Sequence, residues 1–264
     1  MSASHELSHV LEVRGDFACF SRPEMKVERF SYPCPTPSAA RGIFEAIYFK
    51  PAFFWQVTQI EILNSPSLIA LRRNEVKDKV NERSVQQWMA GKSEVEPIWA
   101  DASGDDFKGR TQRQTMALKN PKYRLSARIV PRPGYEAQQR AADEQFIRRA
   151  SQGKCFYQPC LGCREFVAFF RYIKSLDNEP KPCGFSQDLG WMLYDVFDLR
   201  ENNHAKIVVN NGDGQCERKA NGWKDVKPSI AVFRAKVENG VLTVPPFDSD
   251  DVKKTNSSEE RWAG

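Results

Sequence analysis

From Lys108 to Lys154 the sequence carries twelve lysines and arginines against Glu136, Asp143 and Glu144, a local excess of nine positive charges in a chain of net charge +5. A concentrated positive field suits a phosphate backbone, so the chemistry offered is the holding of nucleic acid. A solvated, arginine-rich surface accounts for the same count. A second group is Cys160-Leu-Gly-Cys163, which could give two thiolates to a tetrahedral zinc site, with Cys155 and Cys183 completing it. Buried free thiols are the competing account of these scattered cysteines. All seven cysteines are irregularly spaced, as in a reducing compartment. A third group is Arg41, Glu45 and Tyr48 at i, i+4 and i+7 of one stretch. This sets Tyr48 away from the apolar face, an unusual place for an aromatic, although an amphipathic tyrosine at a helix end explains it on periodicity alone.

The elements that must position these groups can be read from periodicity and turn chemistry. His9–Arg14 alternates as a strand and stops at Gly15-Asp16. After a turn-rich stretch with Pro23, Pro33 and Pro35, Thr36 caps a helix whose first residue is Pro37. Ala39, Ala40, Ile43, Ala46 and Ile47 form its apolar face, and Pro51 ends it. Phe54–Leu63 is a second strand. Residues 64–121 have weaker periodicity. Within them Leu71–Val80 reads as a solvated hairpin or loop and Asp101–Thr111 as a flexible loop. Tyr123–Val130 is a third strand, and Ala137–Gln152 a helix with Gly153 just past its end and Ala142, Phe146 and Ala150 as its buried stripe. Cys163–Ile173 is a fourth strand, apolar enough to sit centrally.

Strand, helix, strand, strand, helix, strand is the order of the ferredoxin-like fold, which RNA-recognition modules share. Beyond residue 176 the pattern turns to short strands, at Leu189–Leu199, Ala205–Val209, Ile230–Val237 and Gly240–Val244, with turn signals at Asn211-Gly212 and Asn239-Gly240. The expected fold class is therefore α+β. A ferredoxin-like N-terminal domain over 1–175, with a hairpin insertion at about 64–121, precedes a small antiparallel β domain over 176–247. The polar segment 248–264 is expected to be a disordered tail. At 264 residues and 41% apolar, the chain can bury a core without staples. Nothing approaches the roughly 18 apolar residues of a membrane span. The first ten residues have neither a basic nor an apolar signal region, so a cytoplasmic protein without a membrane partner is expected.

Several strings go beyond pattern. They are Gly15-Asp-Phe-Ala-Cys-Phe20, Arg22-Pro-Glu-Met-Lys-Val-Glu-Arg29, Pro37-Ser-Ala-Ala-Arg-Gly-Ile43, Ala46-Ile-Tyr-Phe-Lys-Pro51, Arg72-Arg-Asn-Glu-Val-Lys77 and Gln158-Pro-Cys-Leu-Gly-Cys-Arg-Glu-Phe166. In this order, from about Val10 to about Leu199, they closely resemble the CRISPR-associated Cas five family in its d variety. The resemblance implies a ferredoxin-like domain and a smaller β domain. It also implies a metal-independent endoribonuclease of type I-C systems that cuts precursor CRISPR RNA near the repeat hairpin, keeps the 5′ handle of the guide, and joins the backbone and large subunits of the interference complex. No cofactor is implied. A base would take the proton of a ribose 2′-OH, which attacks the adjacent phosphate, and the products would be a 2′,3′-cyclic phosphate and a 5′-hydroxyl.

In the family an aromatic or histidine at the end of the first helix works with a Lys-His pair before the second. Tyr48 matches the first position, either as a base, which would need cations such as Arg41 to lower a pKa of about 10, or as a positioning group. Ala141-Ala142 stand where Lys-His would be, and the adjacent Arg140 could supply the cation by a shift of register. Arginine is no proton donor or acceptor at neutral pH. His5 and His9, near the terminus, and His204, in the C-terminal unit, do not replace the pair. For RNA holding, Arg22, Lys26 and Arg29 after the first strand and Arg72, Arg73 and Lys77 in the insertion are expected in loops beside the sheet, where phosphate contacts are natural, a salt-bridged surface being the alternative, with the loop cations Lys26 and Arg29 ahead of the helical Arg148. The alternative reading is a non-cleaving subunit that binds guide RNA, nucleates the complex and has nonspecific affinity for duplex DNA.

Overall fold

The computed structural model describes residues 7–25, 27–76, 80–95, 110–199 and 230–254. In chain order the strands are β1 (Ser8–Arg14), β2 (Phe17–Ala18), β3 (Arg29–Phe30), β4 (Phe53–Ile62), β5 (Leu68–Val76), β6 (Arg110–Lys119), β7 (Lys122–Pro131), β8 (Phe169–Ile173), β9 (Gln187–Asp195), β10 (Ala231–Glu238), β11 (Val241–Thr243) and β12 (Val252–Lys254). The helices are α1 (Pro37–Ile47), α2 (Glu82–Met89) and α3 (Gln139–Ser151), the last preceded by a short 3₁₀ turn over Glu136–Gln138.

The main sheet runs β12-β10-β11-β4-β7-β1-β8, with β9 also pairing with β10. Within it β4-β7-β1-β8 are antiparallel neighbours, centred on Leu11 opposite Leu125 and Ile60 opposite Leu125. This α+β arrangement is consistent with the ferredoxin-like order read from the sequence. A second sheet holds β5, β6, β2 and β3: β5 and β6 pair antiparallel from Leu68–Leu118 to Val76–Arg110, while β3 joins β6 in parallel.

The helices form where the sequence starts them. The Thr36 hydroxyl accepts the Ala39 N–H and Pro37 opens α1. Ala40, Ile43, Phe44 and Ile47 lie on the sheet. α3 ends as expected, with Gly153 in the left-handed region at φ +66°. Both helices meet the sheet through one aromatic cluster: Trp55 on β4 lies 4.6 Å from Phe146 of α3 and 4.9 Å from Phe44 of α1, ring centre to ring centre.

Four features depart from the expectation. Cys163–Ile173 is not a central strand. Its strand begins only at Phe169 and lies at the sheet edge, because residues 159–168 fold on themselves and bury Leu161, Phe166 and Ala168 against the turn after β1. Leu71–Val80 contributes to β5 through Val76, and a helix, α2, follows it. The segment Val252–Lys254 is not disordered: it pairs with β10 and buries Val252. The C-terminal strands also continue the N-terminal sheet, since Leu242 of β11 pairs with Ile60 of β4. The expected strand at Ala205–Val209, the turn at Asn211-Gly212 and most of the Asp101–Thr111 loop lie outside the described residues.

Candidate functional site

α1 ends one residue before Tyr48, which is extended at φ −154°, ψ 120°. Its N–H still donates to the Phe44 carbonyl at 2.9 Å, and its carbonyl accepts the Trp55 indole N–H at 2.9 Å. Both backbone groups are therefore fixed, and the half-buried ring rests 5.5 Å from the ring of Phe53. Tyr48 lines a cleft of about 420 Å³ whose far wall is the start of α3, with Gln138, Gln139, Ala141 and Ala142, and whose rim carries Lys50 and Tyr135. Ala141 and Ala142, which stand at the position of the family's Lys-His pair, line the same cleft as Tyr48. Lys50 is the single charged side chain among the described residues that line the cleft. Sequence reasoning passed over Lys50, although it stands inside the Ala46–Pro51 string.

The two arginines expected beside Tyr48 are engaged elsewhere. Arg41 is buried: its Nε and Nη2 donate to the Asp195 carboxylate and Nη1 to Glu45 at 2.5 Å. Burial pulls its proton affinity down, but Asp195 and Glu45 more than offset this, so Arg41 stays charged. The face of α1 opposite the apolar stripe is therefore covered by β9 rather than by solvent. The Arg140 side chain is 91% exposed, pairs with Glu144 one turn along, and does not line the cleft. His9, set aside as terminal, is fully buried on β1 with its Nε2 2.6 Å from the Asp143 carboxylate and its ring 4.8 Å from Phe146. Its inward register with Leu11 and Val13 was the available signal.

The cations expected to hold RNA fall into different settings. Arg22 lies over the Tyr32 ring, 4.5 Å from its centre. Arg29 on β3 and Arg73 on β5 converge on Glu165, and Arg73 also bonds Glu75. Arg72, one residue along, points to the other side of β5 and is exposed. Lys26 and Lys77 lie outside the described residues. The basic stretch also divides. Arg124 is buried against Glu61, and Arg132 is buried with Nη1 on the Leu199 carbonyl. Arg148 and Lys154, at the end of α3, are exposed.

Among the described residues no group of three or more His, Cys, Asp or Glu side chains is placed to hold a metal ion. Cys163 instead meets Cys19. The Cys163 sulfur lies 3.8 Å from the Cys19 carbonyl oxygen, to which the neutral thiol donates, and the Arg29 guanidinium lies 3.5 Å from the Cys163 sulfur. A side-chain hydrogen bond from Cys19, helped by Arg29 and Arg73, brings Cys163 down to about 6, while Cys19 is held protonated. The approach depends on Gly162, at φ +86°, where a Cβ would lie 2.0 Å from the Cys19 carbonyl oxygen. Two of the strings that carry the resemblance, Gly15–Phe20 and Gln158–Phe166, thus dock on each other, and Arg29 and Arg73 from two more meet at Glu165.

The fold aligns with the crystal structure of a CRISPR-associated protein at a TM-score of 0.59 and 17% identity, over 94% of this chain and 97% of that one. It aligns at 0.57 and 17%, over the same shares of both chains, with SMU1763c of Streptococcus mutans, a functionally uncharacterized protein. The architecture is thus one found among CRISPR-associated proteins. The Cas5d model of the CRISPR-associated Cas5 proteins matches residues 10–245, and the chain belongs to the Cas5d family. Two relatives are each named CRISPR pre-crRNA endoribonuclease Cas5d. That of Mannheimia succiniciproducens is 38% identical over 92% of this chain and 97% of its own length. That of Thermus thermophilus is 35% identical over 89% of this chain and 90% of its own.

Proposed function

We propose that this chain cuts precursor CRISPR RNA within the repeat by attack of a ribose 2′-OH on the neighbouring phosphate. The observation that carries the reading is the cleft in which the fixed Tyr48 faces the start of α3, in a chain of this family. The Tyr48 hydroxyl accepts a hydrogen bond from the attacking 2′-OH and relays its proton to solvent as the 2′ oxygen bonds to phosphorus and the bond to the 5′ oxygen breaks. The Lys50 ammonium stabilises the charge that builds on the phosphate oxygens and can give a proton to the departing 5′ oxygen. The glutamines of the far wall offer amide donors to the same phosphate. The product stays bound as the guide's 5′ handle, and the chain joins the backbone and large subunits of a type I-C complex in the cytoplasm.

A second reading is favoured by one observation. Ala141 and Ala142 bring no ionisable group to the cleft, and Arg41 and Arg140 are committed to Asp195 and Glu144. On that reading the chain binds the guide RNA and nucleates the complex, with affinity for duplex DNA, but does not cut.

A denaturing gel of repeat RNA incubated with the protein in EDTA separates the two. Discrete products ending in a 2′,3′-cyclic phosphate are expected. Tyr48→Phe should slow cutting at least about 100-fold, the low end of what a positioned proton-transfer group contributes, with binding nearly intact. A 2′-deoxy nucleotide at the cleavage position should block it. Uncut RNA with an intact gel shift would sink the enzyme reading.

A further inference from the structure

On the other side of Tyr48 lies a second groove, of about 370 Å³, that the reaction above does not use. Its walls are Tyr48, Phe49, Phe156, Tyr157, Arg149 and Glu45, whose carboxylate is paired with Arg41, and Ile47 lies at its base. Phe156 is 84% exposed and Tyr157 53%, and Phe49 is exposed beside them. Holding such area in water costs about 25 cal/mol per Å² and does nothing for the fold, so a ligand is the natural account of it. The aromatics are not on a loose loop. Gly153 turns the chain back at the end of α3, the Lys154 N–H donates to the Arg149 carbonyl at 2.9 Å, and the Phe156 N–H donates to the Ala46 carbonyl of α1 at 2.7 Å. The two rings stand at 80° with centres 6.2 Å apart, so they do not lie flat on each other. Arg149 is held by its Nε on the Ile47 carbonyl at 2.8 Å, with its guanidinium at the groove wall.

We infer that this groove is a nucleobase site: it takes one unpaired base of the RNA strand whose backbone passes Tyr48. The inference rests on the RNA-processing reading and names what that strand does next to the cleft. Three observations select a base over a protein side chain. The exposed walls are aromatic rings and a guanidinium, the surfaces on which unstacked bases lie, rather than aliphatic groups. Tyr48 lines both cavities, so one strand can lay its phosphate in the first and its base in the second. The exposed cations Lys50, Arg148 and Lys154 flank the groove's elements, complementary to a phosphate on either side. Stacking is tolerant of base identity, so the site fixes strand position rather than sequence.

The test is equilibrium binding of labelled repeat RNA, hairpin plus unpaired flanks, to the full chain and to Phe156→Ala, Tyr157→Ala and Phe156→Trp. A parallel set of RNAs carries one abasic nucleotide at each unpaired position. Phe156→Ala should weaken binding about tenfold, leave the salt dependence of binding unchanged, and leave the melting temperature unchanged. Phe156→Trp should bind as the wild type does. One abasic position should weaken the wild type by a similar factor and cause no further loss in Phe156→Ala. If the wild type binds RNA while both alanine variants match it, or no abasic position couples to Phe156, the base site is overturned and the processing reading stands. If the variants keep RNA affinity but lose a protein subunit, the groove is a protein-docking surface and the inference fails. If the wild type binds no repeat RNA, both readings fall together.

Discussion

Two regions of this molecule each gather three cations and differ in what that charge can do. At the second sheet, Arg29, Arg73 and Arg113 face Glu165 and Glu75, and Arg29 and Arg73 also favour the charged form of the Cys163 thiol, so three cations meet two carboxylates and a readily ionised thiol. At the end of α3, Arg148, Arg149 and Lys154 stand together, and the nearby Glu144 is taken by Arg140. The first region is a neutral knot that ties β3, β5 and the 159–168 loop together. The second keeps its field for a ligand. The number of arginines in a segment therefore says little about phosphate binding until their partners are known. The α3 end also makes structural sense without RNA, because cations there favour the negative end of the helix dipole.

The largest effect is expected where pairing is combined with burial, the extreme of the knotted kind. Asp195→Ala removes the carboxylate that accepts from Nε and Nη2 of the buried Arg41 and unties α1 from β9. We expect a loss of about 3 kcal/mol, read as a lower urea midpoint at unchanged slope. Glu165→Ala, in the half-exposed knot, should cost below about 1 kcal/mol by the same measurement. Equal losses would erase the distinction between the two environments.

These environments also explain what the sequence could and could not reveal. Thr36-Pro37 and Gly153 mark helix ends through local chemistry, and the alternation of β1 needs only its own residues, so both were legible. Arg41 and Asp195 are 154 positions apart, and His9 and Asp143 are 134 apart. No local period reports such a pair, so Arg41 read as a solvent-facing cation and His9 as terminal. α2 was missed because it buries no residue and therefore has no core-facing stripe, although Asn81 caps it. The candidate site at Tyr48 came from the ordered strings, not from periodicity. Lys50 and Phe156 escaped because an exposed lysine and an exposed phenylalanine have no sequence signal until the cavity that each lines is seen.

Next in size is the direct contrast of the two cation groups. Arg148→Gln with Lys154→Gln should weaken repeat-RNA binding about tenfold near physiological salt and lower the salt slope by about 1.4, at about 0.7 per single-strand phosphate contact. Arg29→Gln with Arg73→Gln should change affinity no more than about twofold. Should the two double variants behave alike, the knot would not be neutral in solution.

The smallest effect probes the knot from its sulfur. A thiol held near 6 is ionised at neutral pH, so Cys163, which is partly exposed, should react with iodoacetamide at a rate that reaches half its maximum at about pH 6. Cys34, fully buried and pushed up to about 12, should stay unmodified in the folded protein. Removing one of the cations that holds the thiolate, by Arg73→Gln, should move the Cys163 midpoint upward, because the charged form loses a favourable interaction and the neutral form does not. The midpoint should stay below the ordinary thiol value of about 8.5, since the Cys19 hydrogen bond, the larger cause, remains. Mass-spectrometric labelling across pH measures both. A Cys163 midpoint at the ordinary value in the wild type would mean that no thiolate completes the balance, and the second sheet would then carry a net positive charge available to RNA.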